Sequence, residues 1–228
     1  MLNDYTSRIN SMFQLDADLV SADELADAIN LAVEQYSTDR PREVVEDVIA
    51  EWTDELPLPV RWAAMFSRLQ AVEYPVGDKP PTLLDLEYLY EYRSPTGESI
   101  NHVSDVFAIG GAVRLTYTAK HQLTDTVDSI PVEHREAVSN LAAALLCDGL
   151  AVRFSTDTDS TISADSVNHE SKSRNFAARA KALRARYVEL LAGQAAAEGR
   201  VKPASAIVDL DMATQRGHDR FYHPGRWR

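Results

Sequence analysis

Six histidines, one cysteine and a few close-set acids are the side chains through which this chain could do chemistry. A transition-metal site needs imidazoles or thiolates that converge, commonly two histidines four apart on a helix or a paired-cysteine motif. His102 and His121 fall in a β-rich stretch, His134 and His169 at the expected starts of helices, and His218 and His223 near the C-terminus, so none shares that spacing. Cys147 has no second thiol and sits in the apolar run AVSNLAAALLCDGLAV, which reads as a buried, inert position. Asp157-Thr158-Asp159-Ser160 begins like a calcium loop, but the sixth and twelfth places hold Ile162 and Asn168 instead of glycine and glutamate. Glu133-His134-Arg135-Glu136 could be taken for an acid-base set, yet neighbours on a helix point in different directions, and acids in a first helical turn are ordinary.

Phosphate-binding glycine loops, nucleophile elbows and HExxH pairs are also missing from the sequence. The residues therefore predict no catalytic site, no cofactor and no metal.

The last residues are different. Arg216, Asp219, Arg220, Phe221, Tyr222, Arg226, Trp227 and Arg228 bring together arginine and large aromatics, the types that dominate interface hot spots, on a segment without helical or strand period. Left bare, such aromatics invite aggregation, so the segment predicts a docking arm covered by a partner protein. Stacking on single-stranded nucleic acid is the weaker use, because Asp219 and an acidic body oppose it.

Charge divides the same way. The net charge is -12, and residues 1–55 hold 14 acids against Arg8, Arg40 and Arg42, leaving about -1 for the rest. An acidic chain is a poor ligand for a phosphate backbone. One acidic end and one basic end suit copies that dock on one another in a fixed orientation. The pairing expected is Asp23, Asp27 and Glu34 of one subunit against Arg179, Arg184 and Arg186 of the next.

The elements that must carry these residues read as α+β: an antiparallel helical bundle core, an inserted antiparallel β subdomain and an extended C-terminal tail. Ser21-Ala22-Asp23-Glu24 is a capping box, followed by Leu25, Ile29, Ala32, Val33 and Tyr36 at helical spacing. Strands are expected at 43–51, 69–74, 87–93, 98–107 and 112–118, with a short helix over Val60 to Phe66. A helix from Pro131 to about Phe154 and another from about Ser171 to Ala192, joined by a polar link, should form an antiparallel hairpin against which the Ser21 helix packs. The divisions are thus 1–42, N-terminal segment and first core helix; 43–119, β subdomain; 120–193, helical hairpin; and 194–228, C-terminal arm. No apolar run is long enough to span a membrane and the N-terminus has no secretory layout, so the expectation is a soluble protein made in the cytoplasm.

Several blocks carry a resemblance. The block from Ala28 to Arg42 (AINLAVEQYSTDRPR), Val72-Glu73-Tyr74-Pro75-Val76-Gly77, the segment from Ile130-Pro131 through Leu146-Cys147, Asp159 to Ile162, Asp165 to His169, and Lys172-Ser173 resemble, in that order, blocks of tailed-bacteriophage head-to-tail adaptor (connector) proteins. The likeness spans about residues 20 to 192. It implies a structural virion protein of the neck, made in the host cytoplasm. It further implies a helical core, a twelve-fold ring of copies under the portal, a C-terminal arm on the portal protein, a downstream neck or tail protein, and a lumen that passes DNA without reading it. The alternative from the residues is a ligand- or carbohydrate-binding tail or baseplate component, for which Tyr88, Tyr90 and Tyr92 alternate suitably.

Overall fold

The structure, a computed structural model, describes residues 1–13, 17–95, 97–155 and 172–197. Within them it is a mixed helix-and-sheet protein. In chain order come α1 (Leu2–Met12), α2 (Ala22–Asp39), β1 (Arg42–Ile49), β2 (Glu55–Pro57), β3 (Leu69–Glu73), β4 (Leu89–Ser94), β5 (Gly97–His102), β6 (Ala112–Ala119), α3 (Arg135–Arg153) and α4 (Lys172–Ala197). Residues Met1–Leu190 make one compact unit, and Leu191–Arg228 belong to a second. No described helix is long and apolar enough to cross a membrane.

The capping box forms as the sequence predicts. Glu24 N–H donates to Ser21 Oγ at 3.2 Å, and Ser21 N–H donates to Glu24 Oε2 at 2.8 Å, which satisfies two amides that the first turn would leave unpaired. The helix buries Leu25, Ala28, Ile29, Ala32, Val33 and Tyr36 and stops at Arg40, which leaves the helical conformation (φ -140, ψ 76) before Pro41. Its partner is α3, whose Ala142, Ala143, Ala144 and Cys147 are all buried. These small side chains let two helices approach closely.

A single turn of 3-10 helix, Val132–His134, leads from Pro131 into α3. The expected hairpin partner is α4. Ser173 Oγ donates to the Ala151 carbonyl at 2.8 Å, Phe176 stacks on Phe154 at 5.7 Å between centroids, and Arg186 reaches Glu136 at 3.5 Å, so α4 runs antiparallel to α3. The sequence reading had no element in residues 1–20. There α1 packs on α3 through Tyr5 and Ile9, with Phe13 just beyond its end also buried.

The strands form two three-stranded antiparallel sheets, ordered β1-β6-β3 and β2-β5-β4. Along β6, Val113, Leu115, Tyr117 and Ala119 point inward in strict alternation. They meet Val44 and Val48 of β1, Val72 of β3, Leu56 of β2 and Ile100 of β5 in one apolar cluster. Gly110, at φ +79, turns the chain into β6 and donates to the Ala50 carbonyl at 2.9 Å.

Two local readings need correction. Val60 to Phe66 is not a helix: Trp62 N–H bonds the Pro59 carbonyl and Phe66 N–H the Ala63 carbonyl as separate turns, and Met65 has φ 66, a left-handed conformation that interrupts a helix. Trp62 is instead drawn to Tyr117, 5.5 Å away ring to ring. The strand expected over 98–107 ends at His102, whose Nδ1 is held by the Ser104 backbone and turns the chain away.

Candidate interaction surfaces

Three parts of the molecule have the chemistry of a contact surface. The first lies on α2. Its buried stripe faces α3, which leaves Asp23, Asp27 and Glu34 exposed, and none of the three has an ion-pair partner among the described residues. Beside Asp27 runs a groove of about 250 Å³ floored by Val20, Ala28, Leu31, Leu146 and Leu150. Glu24 and Arg153 close one end as an ion pair, and the Ser21 backbone amide, the largest influence, holds the Glu24 carboxyl below its ordinary range. An apolar floor with Asp27 on its rim is suited to an aliphatic or aromatic anchor flanked by a cation.

The second is α4. Arg179 is engaged within the chain: it donates to the Met12 carbonyl at 2.8 Å and lies over the rings of Phe13 and Phe176, at 5.2 and 5.9 Å. Arg184 pairs with Asp148, and Arg186 pairs with Glu189 at 3.1 Å and Glu136 at 3.5 Å. Exposed pairs of this kind are worth roughly 0–1 kcal/mol and exchange partners easily. Of the six residues expected at a subunit contact, the three acids have no ion-pair partner among the described residues, two arginines sit in exchangeable pairs, and Arg179 is built into the chain's own packing.

The third is β4. Tyr88, Tyr90 and Tyr92 are 53%, 49% and 51% exposed, so the alternating tyrosines lie at the surface. A cleft of about 320 Å³ beside them is lined by Trp62, Leu69, Leu86, Leu89, Tyr90, Glu91 and Ile100. The arm residues Arg216, Asp219, Arg220, Phe221, Tyr222, Arg226, Trp227 and Arg228 lie outside the described residues, as do Asp157 to Ser160, His169, His218 and His223.

What sequence reasoning missed is a buried polar junction where α1, α2 and α3 meet the chain leaving β6. The Tyr36 hydroxyl hydrogen-bonds His134 Nδ1, and the Tyr36 ring leans on His121 at 4.8 Å. His121 Nε2 lies 3.0 Å from the Arg40 carbonyl and Nδ1 3.0 Å from the Ser129 carbonyl, while its amide donates to Ser37 Oγ at 2.9 Å. Burial pushes the His121 pKa below the ordinary histidine value, against the pull of the two carbonyls. Close by, Asp128 binds Arg135 at 2.9 Å and accepts from the Ile130 amide at 2.9 Å and the Tyr5 hydroxyl at 3.3 Å. Burial is the main cause that drives the Tyr5 hydroxyl well above the usual tyrosine range. At the end of α2, Tyr187 of α4 donates to Asp39 at 2.6 Å. Apart from Arg135 Nε, which is buried without a hydrogen-bond partner among the described residues, these groups are spent on one another and on backbone, which makes the junction a structural clasp. Their separations in sequence, 98 residues for Tyr36 and His134 and 123 for Tyr5 and Asp128, give no local pattern to find. No group of His, Cys, Asp or Glu among the described residues is arranged to hold a metal ion.

No family model matches the chain, and no curated protein matches it. Solved structures similar to it include a chain of the neck of an empty GTA particle computed with C6 symmetry, at 16% identity and TM-score 0.28, covering 69% of this chain and 79% of that one. Others are a chain of the neck of a native GTA particle computed with C12 symmetry, at 16% identity and TM-score 0.28 with 75% and 89% covered, and one of the virion of a native gene transfer agent (GTA) particle, at 17% and 0.27 with 70% and 80% covered. TM-scores this low establish no shared fold.

Proposed function

We propose that the chain is a non-enzymatic virion protein: a ring-forming adaptor that binds the portal vertex, connects phage capsid to tail and lines part of the DNA passage. One observation carries the reading. The two longest blocks that resemble head-to-tail adaptors, Ala28 to Arg42 and Ile130 to Cys147, are the two elements that pack together, α2 on α3, and Tyr36 and His134 join them. The outer side of that pair presents the unpaired acids and the apolar groove, which supports docking as its task.

In this reading α2 of one subunit meets α4 of the next. Asp23, Asp27 and Glu34 take Arg184 and Arg186 from their exposed in-chain pairs, at little net cost because such pairs are screened and mobile. The C-terminal arm, with Arg216, Arg220, Phe221, Tyr222, Arg226, Trp227 and Arg228, engages the portal protein by burying aromatics around arginine. The opposite end of the ring meets a downstream neck or tail protein. Deleting Gly217 to Arg228 tests this: the truncated chain should fold but fail to co-sediment with portal rings. Unchanged binding by the truncated chain would refute the arm's role.

The alternative, a ligand- or carbohydrate-binding component, is favoured by Tyr90 and Trp62 lining one cleft. Among the described lining residues the polar groups are Glu91, the Tyr90 hydroxyl and the Trp62 indole N–H, and only Glu91 is charged, whereas sugar sites need several convergent polar groups. The assembly reading is therefore preferred.

A further inference from the structure

We propose that β4 is a pairing edge for a second copy of this chain, independent of the adaptor reading. An antiparallel strand directs alternate backbone amides to opposite sides. Val103 N–H donates to the Tyr88 carbonyl at 3.0 Å, while His102 N–H turns the other way to the Asp54 carbonyl at 2.8 Å. With Tyr90 opposite Asn101 and Tyr92 opposite Ser99, the backbone of Tyr90 and Tyr92 bonds β5, as that of Tyr88 bonds Val103 just past it, and that of Glu91 and Arg93 faces outward. Among the described residues nothing takes up those outward groups.

The other strands at the sheet margins are protected. β2 is three residues long and ends on Pro57. β3 is covered by residues 82–84, through Tyr74 N–H to the Thr82 carbonyl at 3.0 Å and Leu84 N–H to the Val72 carbonyl at 2.8 Å. β1 carries Glu43 and Glu46 against Arg42, with Asp47 held by Arg114 at 2.7 Å, a net acidic edge that disfavours its own copy. β4 has no proline and balanced charge.

Its charge is also self-complementary. Two copies of β4 paired antiparallel about Tyr92 place each Glu91 opposite the other copy's Arg93, through outward amides and carbonyls on both sides. Tyr92 then meets Tyr92 in the close pair, and Tyr90 lies beside Ser94. Glu91 and Arg93 project to one side, 3.5 Å apart within the strand; Arg93 also pairs with Glu98 of β5 at 3.3 Å and donates to Met65 Sδ at 3.1 Å, so docking a second copy exchanges one Glu91 for another while the Glu98 pair stays. Shifting the register to centre on Tyr90 sets Glu91 against Leu89, whose N–H is already given to the Leu86 carbonyl. The contact is isologous, so it pairs free copies and does not by itself close a ring.

Sedimentation of the full chain over a concentration series tests the pairing, with thermal melts to confirm folding. The wild type should form dimers. Glu91→Arg and Arg93→Glu should each weaken them about tenfold by setting like charges opposite one another. Mixing the two variants, or combining them in one chain, should restore the dimer. Glu91→Pro, which removes an outward amide but none that bonds β5, should also abolish it. A wild-type chain that stays monomeric at every concentration it tolerates, or association indifferent to the reversals and their mixing, overturns the proposal.

Discussion

The Tyr36 hydroxyl and His134 Nδ1 share a hydrogen bond across 98 residues of sequence, and this bond ties the end of α2 to the start of α3 inside the protein. Removing the hydroxyl leaves the ring contacts with His121 and His134 in place. Tyr36→Phe should therefore lower stability by about 1–3 kcal/mol, the cost of a lost buried hydrogen bond. Urea unfolding checks it: the midpoint should fall with the slope unchanged. An unaltered midpoint would mean the bond contributes nothing.

Asp128 should matter more. Its side chain is 1% exposed and receives Arg135, the Ile130 amide and the Tyr5 hydroxyl. Asp128→Ala strands a partly buried guanidinium, a change that typically costs about 3–5 kcal/mol. The same unfolding experiment should rank this variant below Tyr36→Phe, and the reverse order would contradict the clasp described here.

Acid should loosen the same junction. The folded pKa of His121 lies below its unfolded value because burial disfavours the charged ring. Above the unfolded value, about 6.5, both states hold a neutral ring and its full contribution is present. As pH falls from there towards the depressed folded value, the unfolded state takes up the proton first and stability declines. Melting temperature should drop between pH 7.5 and 5.5, and the drop should shrink in His121→Asn. NMR titration should find His121 charging below exposed histidines. A His121 that titrates at or above them would reverse the sign.

The acidic row on α2 should behave in the opposite manner, indifferent to folding and decisive for assembly. Exposed substitutions away from special features usually change stability by no more than about 0.5 kcal/mol. The triple change Asp23→Asn, Asp27→Asn, Glu34→Gln should leave the melting temperature near that of the wild type while weakening subunit association on the portal. Rings that form as readily in the variant would remove α2 from the interface.

How much of this was legible in advance follows the range of the forces. The Ser21 capping box, the long apolar periods of α2 and α3 and the alternation of β6 are written within one or two turns of chain, and the sequence shows them. Tyr5 and Ile9 of α1, and Phe13 just beyond it, are held by α3 and by Arg179, which lie more than a hundred residues away, so no local period marks the segment. Val60 to Phe66 has helix-forming residues, but Trp62 packs on Tyr117 and Met65 is left-handed. The acids of α2 could be picked out as exposed from the helical period alone. That Arg179 is engaged by Met12 and Phe13 could not, because nothing in its own neighbourhood records that contact.

An assembly subunit of the kind proposed above must seat on a portal. Negative-stain imaging of the full chain mixed with its portal rings tests it most directly. The images should show a second ring stacked coaxially on the portal, lost when Gly217 to Arg228 are deleted. Portal rings that remain bare at saturating concentrations of the full chain would contradict it.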